Sequence, residues 1–210
     1  MILHGYFRSA ASWRVRIALN LKGVTANHVF HHLRRGEQRA PEYLAINPQG
    51  LVPTLMLDDG AALSQSLAII EWLDETHPEP PLLPGDATHR AHIRAFALVL
   101  AADTHPIQNL KILAMLRGFN LPEATVTGWA ADANASGLAA CEALLDRQAG
   151  QFCFGAAPTL ADVCLVPQLG NARRFGVDVA RFPRLLACEA ACMAMDAFAA
   201  AVPDRQPDAE

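Results

Sequence analysis

A serine stands where a strand-like run, residues 2–7, gives way to small and hydroxylated residues and then to an apolar helical pattern. That pattern ends at Lys22-Gly23, with Gly23 placed as a C-terminal stop. A junction of this kind presents free backbone N–H groups and the positive end of a helix dipole, so it stabilises an anion, a thiolate included. Ser9 is placed to donate a hydrogen bond to such a group. The local sequence brings no cysteine to this junction, because the nearest one in sequence is Cys141. Any thiol here must come from a bound molecule or from a distant part of the fold. Leu51-Val52-Pro53 adds extended backbone beside a proline, suited to pairing with a peptide-like ligand, and Gln65-Ser66 opens a second helix, suited to a carboxylate. Together the three segments describe a site for a small acidic peptide carrying a thiol.

The elements that must position these residues follow in order. Residues 27–32 read as a second strand and Arg34-Arg35-Gly36-Glu37 as a solvated turn; residues 47–50 are a turn and residues 51–57 a strand with Pro53 near its start. Asp58-Asp59-Gly60 turns the chain into a hairpin partner at residues 61–63. Leu67, Ile70 and Leu73 then share one helical face up to His77-Pro78. Residues 79–87 are the richest proline segment and read as a linker. Beyond them the chain is rich in alanine and leucine, with helical periodicity. A first helix spans residues 88–117, and Pro106 predicts a kink near 103–106. A second lies within 123–148. Thr159-Leu160-Ala161-Asp162 has the form of a capping box opening a helix to about residue 175, residues 184–200 form a last helix, and residues 203–210 read as a polar tail. There is no internal repeat and no low-complexity tract. The architecture is an α/β domain over residues 1–78, a linker over 79–87 and an all-helical domain over 88–210.

The chain has 210 residues, of which 52% are hydrophobic, enough for a buried core. A formal charge of −4 gives no general field for nucleic acid or anionic lipid, though it is compatible with a local basic pocket. No apolar run is long enough to span a bilayer, and the N-terminus lacks the apolar core of a signal peptide. The five cysteines are odd in number and contain no C-x-x-C pair, which suggests neither a disulfide framework nor zinc and points to a reduced, cytoplasmic protein. His31 and His32 invite a metal, but adjacent residues on a strand face opposite ways, so they read as surface or edge histidines.

The order of elements and these motifs resemble the glutathione transferase superfamily, in which a thioredoxin-like N-terminal domain precedes a helical one. Ser9-Ala10-Ala11-Ser12-Trp13-Arg14-Val15-Arg16-Ile17-Ala18 resembles the S-S-C-x-W-R-V-R-I-A signature of the zeta class, the class of maleylacetoacetate and maleylpyruvate isomerases. Asn47-Pro48, Val52-Pro53-Thr54-Leu55 and Gln65-Ser66-Leu67-Ala68 are similar to that class as well. So are His105-Pro106-Ile107-Gln108-Asn109-Leu110, Leu160-Ala161-Asp162, Leu165-Val166-Pro167-Gln168 and Asn171-Ala172-Arg173-Arg174-Phe175. Ala10 and Ala11 depart from it, replacing the second serine and the cysteine.

The resemblance implies a glutathione-dependent cis–trans isomerase of a small dianionic diketo acid. Ser9 would hydrogen-bond the glutathione sulfur, Val52 would pair its backbone with the cysteinyl part beside a cis peptide at Pro53, and Gln65 and Ser66 would hold the γ-glutamyl end. Gln108 and Asn109 would also serve glutathione. Arg8, His105, Lys111 and Arg174 would face the substrate, their cations matching its carboxylates. No metal is implied, and the family suggests a homodimer. Two other readings stand beside this one: a transferase or dehalogenase acting on small electrophiles such as α-halo acids, and a non-catalytic interaction protein of the same fold. Plainer roles exist for single residues: Ser9 and Ser66 as helix caps, Arg8 as a solvent-facing strand residue, Arg14 and Arg16 as structural cations, His105 as a partner for backbone freed by the kink, and Trp13, Trp72 and Trp129 as core or interface residues.

Overall fold

The computed structural model describes residues 1–145 and 150–210. The chain divides into two compact units, one of Met1–Leu82 with Ala194–Glu210 and one of Leu83–Met193.

In the first unit, β1 (Ile2–Gly5) leads through a turn into α1 (Ala10–Leu21), followed by β2 (Asn27–Phe30), α2 (Pro41–Ile46), β3 (Thr54–Met56), β4 (Ala62–Ser64) and α3 (Ser66–Thr76). The sheet order is β2-β1-β3-β4. β1 and β2 run parallel, as a strand pair joined by a crossover helix must, while β3 pairs antiparallel with β1 and with β4. β3 begins at Thr54, three residues later than the sequence predicts, because Pro53 has no N–H to give a ladder. The buried stripe of α3 is Ser66, Ile69, Ile70 and Leu73, an i, i+3, i+4, i+7 set. Leu67, expected in that stripe, is only half-buried; the stripe opens on Ser66 instead.

The start of the segment read as a linker, residues 79–82, belongs to this unit. The Lys22 ammonium at the end of α1 donates to Asp74 at 2.7 Å and to the Pro80 carbonyl at 2.6 Å, and Asp74 also accepts from the Leu82 N–H at 2.7 Å. Leu82 is buried. The tail differs from expectation too. The helix expected over 184–200 is broken into α8 (Pro183–Met193) and α9 (Asp196–Ala199) by extended backbone at Met195 (φ −95°, ψ 133°). From Ala194 the chain belongs to the first unit, where Phe198 is fully buried and the Asn20 amide donates to the Ala197 carbonyl at 2.9 Å.

In the second unit, the expected kinked helix is four pieces: α4 (Ala87–Leu98), a π-helical turn over Val99–Thr104, a 3-10 turn over Pro106–Gln108, and α5 (Leu110–Gly118). α6 (Glu123–Leu144) follows, and the expected helix end at residue 148 lies outside the described residues. Gly137 of α6 lies against the π turn so closely that a Cβ there would fall 2.0 Å from Thr104 Oγ1. α7 (Leu160–Arg174) opens on the predicted capping box. The buried Asp162 carboxylate accepts from the N–H groups of Cys153 (2.9 Å) and Thr159 (2.8 Å) and from the Thr159 hydroxyl (3.0 Å). The Cys153 and Cys188 thiols stand beside it, the three donor atoms within 4.8 Å of one another, but both carboxylate oxygens are already committed to these bonds.

Candidate functional site

The topology of the first unit brings the three chemistry-bearing segments to one end of the sheet. His4 is paired with Thr54 and Thr54 with Ser64, so the turn after β1, the residues before β3 and those after β4 all leave the sheet at that end. These are the positions of Ser9, Val52-Pro53 and Gln65-Ser66. Tyr6 and Phe7 of the first turn pack with Val52 and Tyr43 in one buried cluster, with Leu33 against it.

Ser9 is the N-cap of α1, and its Oγ accepts from the Ser12 N–H at 3.2 Å. This is the expected capping role, and it spends a lone pair while leaving the hydroxyl hydrogen to donate elsewhere. The other first-turn N–H groups have no intrahelical acceptor, so the site carries a partial positive charge. Arg8, half-buried on the same turn, lies over the Phe7 ring with its guanidinium carbon 5.8 Å from the centroid.

The Val52–Pro53 peptide is cis, as expected, and Val52 lies outside the β ladder, which begins at Thr54. Beneath this loop a buried network fixes its path. The Tyr43 hydroxyl donates to the Leu51 carbonyl at 2.6 Å and lies 2.9 Å from Thr54 Oγ1; the Asn47 amide donates to the Leu51 carbonyl at 2.8 Å and to Thr54 Oγ1 at 3.0 Å. The His31 ring lies 4.3 Å from the Tyr43 ring and its Nε2 is 2.9 Å from His4 Nδ1. Burial holds both imidazoles below their usual pKa, and for His4 the neighbouring His31 adds to the effect. His32 faces elsewhere, its Nε2 2.7 Å from the Glu210 carboxylate.

Gln65 has φ 70° and ψ 118°, a left-handed-side conformation unusual for a residue with a side chain and one that concentrates at functional sites. Its amide donates to Gln49 Oε1 at 2.9 Å, tying the 47–50 turn to the start of α3, where Ser66 is buried.

The remaining candidates belong to the second unit. His105 ends the π turn; Gln108 is buried in the 3-10 turn with its Oε1 lacking a hydrogen-bond partner among the described residues; Asn109 caps α5 through the Leu110 N–H at 2.7 Å. Trp129, half-exposed, donates its indole N–H to the Ile107 carbonyl at 2.8 Å and so anchors that turn to α6. Lys111 is exposed on the first turn of α5. Arg174 ends α7 with its guanidinium 4.8 Å from the Phe175 ring centroid, and Phe175 packs on Leu113 of α5 and on Val126 and Ala130 of α6. The elements bearing Lys111 and Arg174 therefore share one apolar cluster.

Sequence reasoning missed Tyr43, whose only signal was an aromatic ring in a polar stretch just before Asn47-Pro48. It also missed Tyr6 and Phe7 as the packing partners of Val52.

Comparison with known proteins bears on this arrangement. The glutathione S-transferase N-terminal domain matches residues 3–81 and the C-terminal domain residues 127–187. A maleylpyruvate isomerase of Ralstonia is 48% identical over 212 residues, spanning 99% of each chain. The holo structure of a maleylpyruvate isomerase, described as a bacterial zeta-class glutathione S-transferase, superposes with a TM-score of 0.97 at 46% identity over the whole of both chains. A maleylacetoacetate isomerase from Methylobacterium extorquens, solved with malonate and glutathione bound, superposes with a TM-score of 0.96 at 42% identity, again over the whole of both chains.

Proposed function

The chain belongs to the glutathione S-transferase family, within it to the zeta class, and from that premise we propose that it is a glutathione-dependent cis–trans isomerase of maleylacetoacetate or maleylpyruvate. The observation that carries the reading is the state of Ser9: a cap that keeps its hydroxyl hydrogen, on a helix N-terminus, at the sheet end that also bears Val52-Pro53 and Gln65-Ser66. This fits a tripeptide with a thiol in the middle and a carboxylate at its γ-glutamyl end. The strained backbone of Gln65 and the position of Val52 outside the ladder support the same fit.

Glutathione, when bound, supplies a thiolate that adds to the cis double bond, permits rotation about the resulting single bond and leaves unchanged by elimination. The residues of the chain do the rest. Ser9 donates to the sulfur and, with the N–H groups of α1, favours its ionised form. Val52 offers backbone pairing to the peptide, Gln65 and Ser66 receive its carboxylate, and Gln108 and Asn109 complete the glutathione contacts. Gln108 carries a buried amide oxygen without a hydrogen-bond partner among the described residues. Arg8, Lys111 and Arg174 receive the carboxylates of the diacid and stabilise negative charge that develops next to the carbonyl, and His105 contributes a polar contact to the substrate.

Ala11 favours the isomerase over a reductive dehalogenase, since it offers no protein thiol to resolve a glutathione conjugate. The geometry at Gln65 and Ser9 argues against a purely structural member of the fold. We place the enzyme in the cytoplasm, as a homodimer serving aromatic-acid breakdown. All five cysteines are free thiols, which suits a reducing compartment.

The test compares specificity constants for maleylacetoacetate, maleylpyruvate and dichloroacetate in the presence of glutathione. The proposal expects one of the two maleyl acids to be preferred by at least about 10²-fold over the halo acid, the ratio measuring differential transition-state binding. A halo acid turned over as well as either maleyl acid would replace this reading with the transferase.

A further inference from the structure

The turn that delivers Ser9 is held by residues far from it in sequence. Arg16 donates to the carbonyls of Phe7 (3.0 Å) and Tyr6 (3.4 Å) and, through Nε, to the carbonyl of Ala201 (3.1 Å). The Tyr6 carbonyl also accepts from the Ser9 N–H at 3.1 Å. The Phe7 N–H is taken by Asp208, whose Oδ2 accepts it at 2.8 Å across 201 residues.

The manner in which Asp208 is held is unusual for a surface tail. Its other oxygen, Oδ1, is buried without a hydrogen-bond partner among the described residues, though its charge acts on the buried Arg16 guanidinium. A half-satisfied buried carboxylate costs stability, so a tail serving only to cover α1 would gain by an apolar residue here. The tail is also pinned on both sides of Asp208: the Gln206 amide donates to the carbonyls of Ala200 (3.0 Å) and Val202 (2.9 Å), and Glu210 meets His32 at 2.7 Å. The carboxylate is thereby presented to one backbone N–H, two residues before the thiol-activating serine.

We propose that Asp208 is a positioning residue for the reaction: by holding the Phe7 N–H against the pull of Arg16 on the adjacent carbonyls, it fixes the 6–9 turn so that the Ser9 hydroxyl is aimed at the bound thiol. The role rests on the assignment of Ser9 given above. Positioning and simple charge predict opposite signs. Removing an anion lowers the pKa of a nearby thiol, whereas releasing the turn raises it by weakening the hydrogen bond from Ser9.

The experiment is a thiolate absorbance titration of glutathione bound to the full chain, run with isomerase rates across the same pH range. Asp208→Ala is expected to raise the thiol pKa and lower the rate near neutral pH about tenfold, the loss recovering as pH rises and the thiol ionises. Asp208→Asn keeps an acceptor for the Phe7 N–H while removing the charge, so its thiol pKa is expected at or below that of the parent, with the rate near neutral pH retained. A thiol pKa that is unmoved or lowered in Asp208→Ala overturns the proposal. Should that variant not fold, Asp208→Ser, too short to reach the amide, carries the same decision. A parent protein whose bound thiol titrates like free glutathione overturns the assignment of Ser9, and this role with it; a depressed parent value that ignores Asp208→Ala overturns the role of Asp208 alone.

Discussion

Ser9 resolves a choice that residue type alone leaves open, between helix cap and thiol partner. Its oxygen accepts from Ser12 and its hydrogen stays available, so the cap is compatible with the proposed contact to the thiol. Ser9→Ala is expected to raise the apparent pKa of bound glutathione and reduce kcat by about 10²-fold, the usual effect of deleting one donor aimed at developing charge. A titration unchanged in that variant would assign activation to the helix terminus. Arg174→Ala is expected to cost diacid turnover ~2 kcal/mol in kcat/KM while sparing glutathione affinity; equal losses in both would remove its assigned role. At this scale the placement of Ser9, Val52, Pro53, Gln65 and Ser66 was legible because each stands at a boundary between elements, where an unpaired backbone group calls for a particular residue type. Tyr43 and Asp208 were not, because what each does is fixed by a partner elsewhere in the fold: a carbonyl 8 residues on in one case and an amide 201 residues away in the other.

Among the elements, the stretch from α4 to α5 separates what pattern can and cannot reveal. Pro106 announced an interruption near the right place, because a missing N–H is a local fact. The π turn that precedes it was not legible, since it is fitted to Gly137 on another helix, where even one methyl would meet Thr104 Oγ1. Helix propensity alone would make Gly137→Ala stabilising by ~1 kcal/mol. The close approach reverses that sign, and chemical denaturation is expected to report a loss of about 1–3 kcal/mol, as overpacking a filled site does. Trimming Thr104 to Ala in the same chain is expected to restore most of it, a coupling that a double-mutant cycle measures. A stabilised single variant would contradict the close packing. The break at Met195 was hidden for a similar reason. No glycine or proline marks residues 193–196, and the extended backbone there goes with the packing of α9 on α1 in the first unit.

For the molecule as a whole, composition and the change of pattern after the proline-rich segment gave two units of the right classes. The return of residues 194–210 to the first unit was not legible, because a polar terminal sequence looks the same whether docked or free. The first unit also carries a pH dependence. His4 and His31 have folded pKa values held below the ~6.5 of an unfolded imidazole by burial. Their contribution to stability is therefore complete above that value, and it is lost as pH falls, because the unfolded chain takes up protons that the folded one refuses. Thermal unfolding is expected to fall in midpoint below about pH 6.5, and the fall should be shallower when both are replaced by Gln. Parallel curves for the two proteins would contradict this.

The central claim is that glutathione enters and leaves the reaction unchanged. Its most direct measurement supplies glutathione far below the concentration of the maleyl acid and follows fumaryl product and free thiol together. Many products per glutathione are expected, with the thiol fully recovered and no comparable rate without it. Product that stops at one equivalent of glutathione, with the thiol consumed, would contradict it.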